Sequence, residues 1–137
     1  MDWLQEQGTT LLWIVAVVFF LLRGPVMARI TGVETISVHI LAQRLAAASP
    51  PLLLDVRSSS EFVTGHVPQA TLIPLPELRQ RLDLLRVQAV SRAIVVICRT
   101  GNRSLHAAVL LKRAGFEQVC HVEGGMTNWK IQGYPVQ

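Results

Sequence analysis

Cysteine is scarce in this chain: two residues, Cys98 and Cys120, stand at unrelated positions among 137. So low a count excludes a disulfide framework, and the lack of any Cys-x-x-Cys pair excludes the common structural zinc arrangements. The four histidines are scattered and do not complete a ligand set, so no metal site is expected. Aromatic residues amount to 6% of the chain. No basic stripe is interleaved with them, and there is no helix-turn-helix or RNA-binding signature, so nucleic acid is not expected as a partner. Internal repeats and low-complexity tracts are also missing. Charge is absent altogether from Gln7 to Leu22.

That uncharged stretch is the first positive feature. Leu11 to Leu22 is wholly apolar, too uniform for a helix with one face in water. Alone it would span about 18 Å, short of a hydrocarbon core of roughly 30 Å. Extended from about Trp3 to Met27 it would cross, with Trp3 at an interface and Arg23 reaching back to the headgroups. The reading is a single transmembrane anchor over residues 1–28, then a linker over 29–35 and a folded domain over 36–137. Val26-Met27-Ala28 loosely resembles a cleavage site, but Asp2 and Glu6 have the wrong sign for a signal peptide. No Lys or Arg precedes the apolar run, and Arg23 and Arg29 follow it. The positive-inside rule then predicts a single-pass membrane protein with its C-terminal domain in the cytoplasm. A formal charge of +4 suits small anionic substrates or an anionic membrane surface.

Past the linker, strands alternate with helices. Thr35-Ile36-Ser37 reads as an extended entry with Ser37 capping a helix that ends before Pro50. Leu52 to Val56 reads as a buried parallel strand. Ser58-Ser59-Ser60-Glu61 has capping-box spacing ahead of a short helix closed by Gly65. A strand over 70–73 precedes a helix over 76–88 with Pro76 at its start and Leu75, Leu78, Leu82 and Leu85 on its core face. Ala93 to Ile97 is a second buried strand, a helix runs from Leu105 to Ala114, and residues 118–122 form the last strand. Gly124-Gly125 opens a final helix carrying Trp129. Such alternation predicts an α/β fold, a parallel sheet flanked by helices on both faces. The C-terminal ends of its strands share one edge, where such sheets bind ligands.

At that edge lies Cys98-Arg99-Thr100-Gly101-Asn102-Arg103-Ser104. A cysteine ends a buried strand, and a short polar loop leads into a helix N-terminus. Loop N–H groups and the start of a helix together favour an anion. A cysteine there is placed to act as a thiolate nucleophile. Asp55 and Arg57 end the neighbouring strand.

With these residues in view, the chain from about Ile36 onwards resembles the rhodanese-like sulfurtransferase family. Leu54-Asp55-Val56-Arg57 with Glu61-Phe62 and Gly65-His66-Val67-Pro68 resembles one of its signatures. Ile73-Pro74-Leu75 with Glu77-Leu78 resembles another. Cys98 to Ser104 resembles its active-site loop, and Gly124-Gly125-Met126, Trp129 and Gly133-Tyr134-Pro135 resemble its C-terminal signature. Gln69 stands where the family usually has Gly, and Leu72 where it often has Asn. The resemblance implies an enzyme that moves sulfane sulfur from thiosulfate or a similar anionic donor to a thiol or thiol-protein acceptor. It implies Cys98 as the catalytic residue, carrying the sulfur as a persulfide without a cofactor. Arg99, Thr100, Gly101, Asn102, Arg103 and Ser104 would hold substrate, and Asp55, Arg57 and Glu61 would support the loop. Ser104 is expected to cap the helix that follows, and Arg103 either binds substrate or supports the loop through Glu61. His66 and His106 read as structural, Cys120 as core packing.

Two rivals remain at this level. Phosphatases and arsenate reductases use a similar loop that is one residue longer between its Cys and Arg, and some share this fold. The shorter loop here suits one sulfur atom and is tight for a tetrahedral oxyanion. A membrane-tethered binding or sensing module without efficient turnover is the other.

Overall fold

A computed structural model describes residues 2–137, except that the side chains of residues 2–6 and 23–31 lie outside the described set. The expectations placed on Trp3, Arg23 and Arg29 therefore fall outside the described residues.

The sheet has five strands: β1 Glu34–Ile36, β2 Leu52–Asp55, β3 Thr71–Leu72, β4 Ile94–Ile97 and β5 Val119–Val122. Their order is β1-β5-β4-β2-β3, and every pairing is parallel. Parallel neighbours need crossovers, and helices supply them. These are α2 Val38–Leu45, α3 Ser59–Val63, α4 Leu82–Gln88 and α5 Asn102–Arg113, with α6 Gly125–Ile131 after the last strand and α1 Asp2–Thr31 before the first.

Strand alternation sorts the apolar side chains into two layers. Leu52, Leu54, Ile94, Val96 and Cys98 lie on one face with Leu78, Leu85, Ala107, Ala108 and Leu111 of the covering helices. Leu53, Val95, Ile97, Cys120 and Val122 lie on the other, under Val38 and Leu41 of α2 and Met126 and Trp129 of α6. Each large aliphatic side chain so buried contributes about 1.5–3 kcal/mol. The two layers therefore hold the sheet edge, and the loop on it, in place.

Local rules explain the element starts. Ser37 and Ser58 sit in extended conformation as N-caps, accepting from the N–H groups of Ile40 and Glu61. Four boundaries differ from expectation. Residues 75–81 form a 3₁₀ segment, and α4 begins only at Leu82. Leu75 N–H is drawn to Val56 O, and Glu77 N–H bonds back to Pro74 O in a tighter turn; Pro76 has no N–H to extend an α-helical ladder. The four leucines still face the core. β3 is shorter than 70–73 because Ala70 N–H closes a turn on Val67 O and Pro74 cannot continue a ladder. The connection between α1 and β1 is Gly32 and Val33, not the whole of 29–35, and Val33 is already core. Finally, α5 begins at Asn102, ahead of Leu105, with Gly101 as its N-cap.

Among the described residues, no helix is long and apolar enough to cross a membrane. The described side chains of α1 cover residues 7–22, fewer than the roughly 20 a span needs. All of them are exposed; Trp13 and Phe19 are 72% and 73% exposed.

Candidate active site

Cys98 follows directly on β4, and its residue is 1% exposed. Gly101 N–H donates to its sulfur at 3.1 Å. That geometry needs the loop to curl back within three residues, and Gly101 does this with φ +112°, a conformation side chains rarely adopt. The start of the loop is clamped from behind. Met126 N–H donates to Cys98 O at 2.8 Å, and Thr127 N–H to Arg99 O at 3.0 Å. This close approach requires glycine at position 125: a Cβ there would lie 2.2 Å from Cys98 O. The first turn of α6 thus uses its free N–H groups to fix the nucleophile's backbone.

Ser104 is fully buried one turn into α5. It does not cap that helix; Gly101 does, because its positive φ starts the helix early. The Ser104 hydroxyl instead lies 3.0 Å from Gly101 O, to which it can donate, and 3.5 Å from Cys98 Sγ. Arg99, Thr100 and Asn102 are exposed at the loop tip. The Arg99 guanidinium makes no ion pair among the described residues, so its charge is available to an anion.

Arg103 points away from the tip. Its two Nη groups donate to the two Glu61 carboxylate oxygens at 2.8 Å each. This bidentate pair braces the loop from α3, one of the two roles open to Arg103 in the sequence. The Arg103 hydrogen bonds hold the Glu61 carboxyl down at about 2. Because that value lies below the usual carboxylate range, the pair's stabilisation is complete above pH ~4.5 and fades as pH falls towards 2. Glu61→Gln should therefore lower stability at pH 7 by on the order of 1 kcal/mol, a value reduced for partial solvent exposure, with most of that penalty gone at pH 2. Denaturant titrations at both pH values measure it; an equal loss at both would show that the ion pair is not the cause.

Behind the clasp, Asp55 and Arg57 are buried at 0% and 3% exposure. Arg57 donates to both Asp55 oxygens, from Nε at 3.0 and 3.1 Å and Nη2 at 2.8 Å. It reaches on to Gly65 O and Glu61 O. The pair therefore ties the end of β2 to α3, and α3 carries Glu61. His66 packs its ring on Phe62 at 3.7 Å and bonds Phe62 O, closing the same turn.

Cys120 lies on the opposite face of the sheet from Cys98. Burial pushes its thiol up to about 11, partly offset by Arg44 nearby. It is a core residue.

One site residue escaped the reading of the sequence. His121 on β5 is buried, with Nδ1 3.2 Å from Ser104 Oγ and Nε2 3.0 Å from Thr35 Oγ1. The available signal was its strand phase: it shares a face with Val119, the side covered by α5. A cleft of about 400 Å³ borders the loop here, with Thr100, Gly101 and Asn102 on one side and Thr35, His121 and Glu123 on the other.

Against known proteins, residues 37–132 match the Rhodanese-like domain family. The chain is 32% identical over 104 residues to a sulfurtransferase of Allochromatium vinosum, covering 76% of this chain and 94% of that one. A rhodanese-related protein from Thermoplasma volcanium superposes with a TM-score of 0.68 at 33% identity, over 76% of this chain and 97% of the other. A rhodanese-like domain protein from Staphylococcus aureus gives 0.66 at 27% identity, over 76% and 98%. The chain therefore belongs to the rhodanese-like domain family.

Proposed function

We propose that the chain is a sulfurtransferase that carries sulfane sulfur on Cys98, taking it from thiosulfate or a similar small anionic donor. The observation that carries this reading is the tight curl of the loop, which brings Gly101 N–H to 3.1 Å from the sulfur. In the first half-reaction the Cys98 thiolate attacks the outer sulfur of the donor. The S–S bond of thiosulfate breaks, sulfite leaves with its electron pair, and Cys98 holds a persulfide anion. In the second, a thiolate or cyanide attacks the terminal sulfur and Cys98 departs as a thiolate. Fixed loop donors serve charge on sulfur in both steps without reorganising. Arg99 attracts the anionic donor, and Arg103 holds the loop open through Glu61. Thr100, Asn102 and Ser104 complete the rim and wall. Incubation with thiosulfate should add the mass of one sulfur atom to the peptide containing Cys98, removable by cyanide or a thiol. Hydrolysis of an aryl phosphate with no such adduct would overturn the reading in favour of a phosphatase.

We also propose that residues 1–28 anchor the domain in a membrane, with residues 36–137 on the cytoplasmic side. Two features support this. α1 is continuous for 30 residues, about 45 Å at 1.5 Å per residue. The apolar side chains of 11–22 are exposed, a cost that lipid removes. Wild-type protein should stay with membranes after a high-salt or alkaline wash and leave only with detergent. Release by salt would refute the anchor, and a C-terminal reporter active only outside the cytoplasm would refute the orientation.

A further inference from the structure

We propose that His121 is a positioning residue for Cys98: held by Thr35, it donates to Ser104 and so turns the Ser104 hydroxyl proton onto the sulfur. The inference rests on Cys98 being the reacting atom.

It follows from counting protons in a chain of four groups, of which Cys98, Ser104 and His121 are buried. Ser104 has one hydroxyl proton and three neighbours: Gly101 O at 3.0 Å, His121 Nδ1 at 3.2 Å and Cys98 Sγ at 3.5 Å. If Nδ1 were bare it would compete for that proton. If Nδ1 carries hydrogen it becomes a donor to Ser104 and leaves the serine proton to the other two. A neutral imidazole has one N–H, so Nδ1 carries it where the group facing Nε2 donates. Nε2 faces Thr35 Oγ1 at 3.0 Å, and a threonine hydroxyl can donate there. Burial keeps the ring neutral by lowering its pKa, with Glu123, in the turn just after β5, opposing in part. The line of donors then runs from Thr35 through His121 and Ser104 to the sulfur.

The arrangement responds to the state of Cys98. As a thiol, S–H donates to Ser104 Oγ, and the serine proton goes to Gly101 O. As a thiolate, the sulfur is the strongest acceptor in reach and takes the serine proton. The same donor is in place when Cys98 is the leaving group in the second half-reaction.

The test is the rate at which iodoacetamide alkylates Cys98 in the full chain at pH 7, resolved by peptide mass so that Cys120 is counted apart. His121→Leu should slow it about tenfold, the loss of one hydrogen bond to a charged acceptor. His121→Asn, whose side-chain N–H can replace Nδ1–H, should restore most of the rate. Thr35 is exposed on the edge strand β1, so its variants keep the test usable if His121→Leu does not fold. Thr35→Val should slow the reaction severalfold, and Thr35→Ser should retain it. Wild-type rates in Thr35→Val, or equal slowing by His121→Asn and His121→Leu, would overturn the proposal. Alkylation needs no sulfur donor. Failure to form a persulfide with this rate order intact would therefore sink the sulfurtransferase reading and leave the role of His121 standing.

Discussion

Cys98→Ser is expected to abolish sulfur transfer from thiosulfate, by on the order of 10³-fold or more, while leaving the fold intact. The chemical part follows from the nucleophile. A hydroxyl at neutral pH is neither ionised nor soft enough to attack sulfur, and it cannot hold the transferred atom as a persulfide. The structural part follows from the surroundings. A serine Oγ at position 98 would find Gly101 N–H and the Ser104 hydroxyl already in place. A buried hydroxyl with partners costs little, so stability should change by no more than about 1 kcal/mol. Activity and a denaturant midpoint measured on the same preparation separate the two statements. Undiminished turnover would remove Cys98 from the mechanism.

The same geometry bears on the competing chemistries. Cys98 and Arg103 are separated by four residues, and Arg103 spends both Nη groups on Glu61. A phosphatase loop must wrap a tetrahedral oxyanion with its arginine. Here the guanidinium is turned outward onto α3, and the amide that faces the sulfur is at single-atom distance. A sensing module without turnover would need the same persulfide, so the mass shift on Cys98 does not separate it from an enzyme; multiple turnovers with an added thiol do.

What could be read from the chain was what is local. The Cys98 loop, the Ser37 and Ser58 caps and the alternation of apolar strands depend on residues within a few positions of one another. The Glu61–Arg103 contact was only one of two roles open to Arg103, since nothing in the spacing of those two residues brings them together. The helix start at Gly101 was misread because Ser104 looks like a cap, whereas a positive φ, invisible in the letters, sets the boundary. The partnership of Thr35, Ser104 and His121 was beyond reach. It arises from the parallel register that pairs Thr35 with His121 and from the docking of α5 over that face. Residues 86 apart in the chain meet only there. α1 marks the opposite limit: its composition argues for lipid, an environment that the fold of the domain does not reveal.

Asp55→Ala should be the most destabilising single change near the site, costing about 3–5 kcal/mol, because it strands a buried guanidinium without its counter-charge. Arg57 is 3% exposed and cannot turn to water without opening α3. Since a domain of this size is stable by only about 5–15 kcal/mol, the variant should unfold at markedly lower denaturant. The effect must also reach the loop. Arg57 ties β2 to Glu61 O and Gly65 O, α3 carries the Glu61 carboxylate, and that carboxylate holds Arg103. Asp55→Leu combined with Arg57→Met removes both charges, so it should recover much of the stability. It should not recover activity, because the tie from β2 to α3 is gone and the clasp on Arg103 loses its footing. A double variant that regained stability and full sulfur transfer together would show that the loop stands without this support, and that the Asp55–Arg57 pair contributes only to folding.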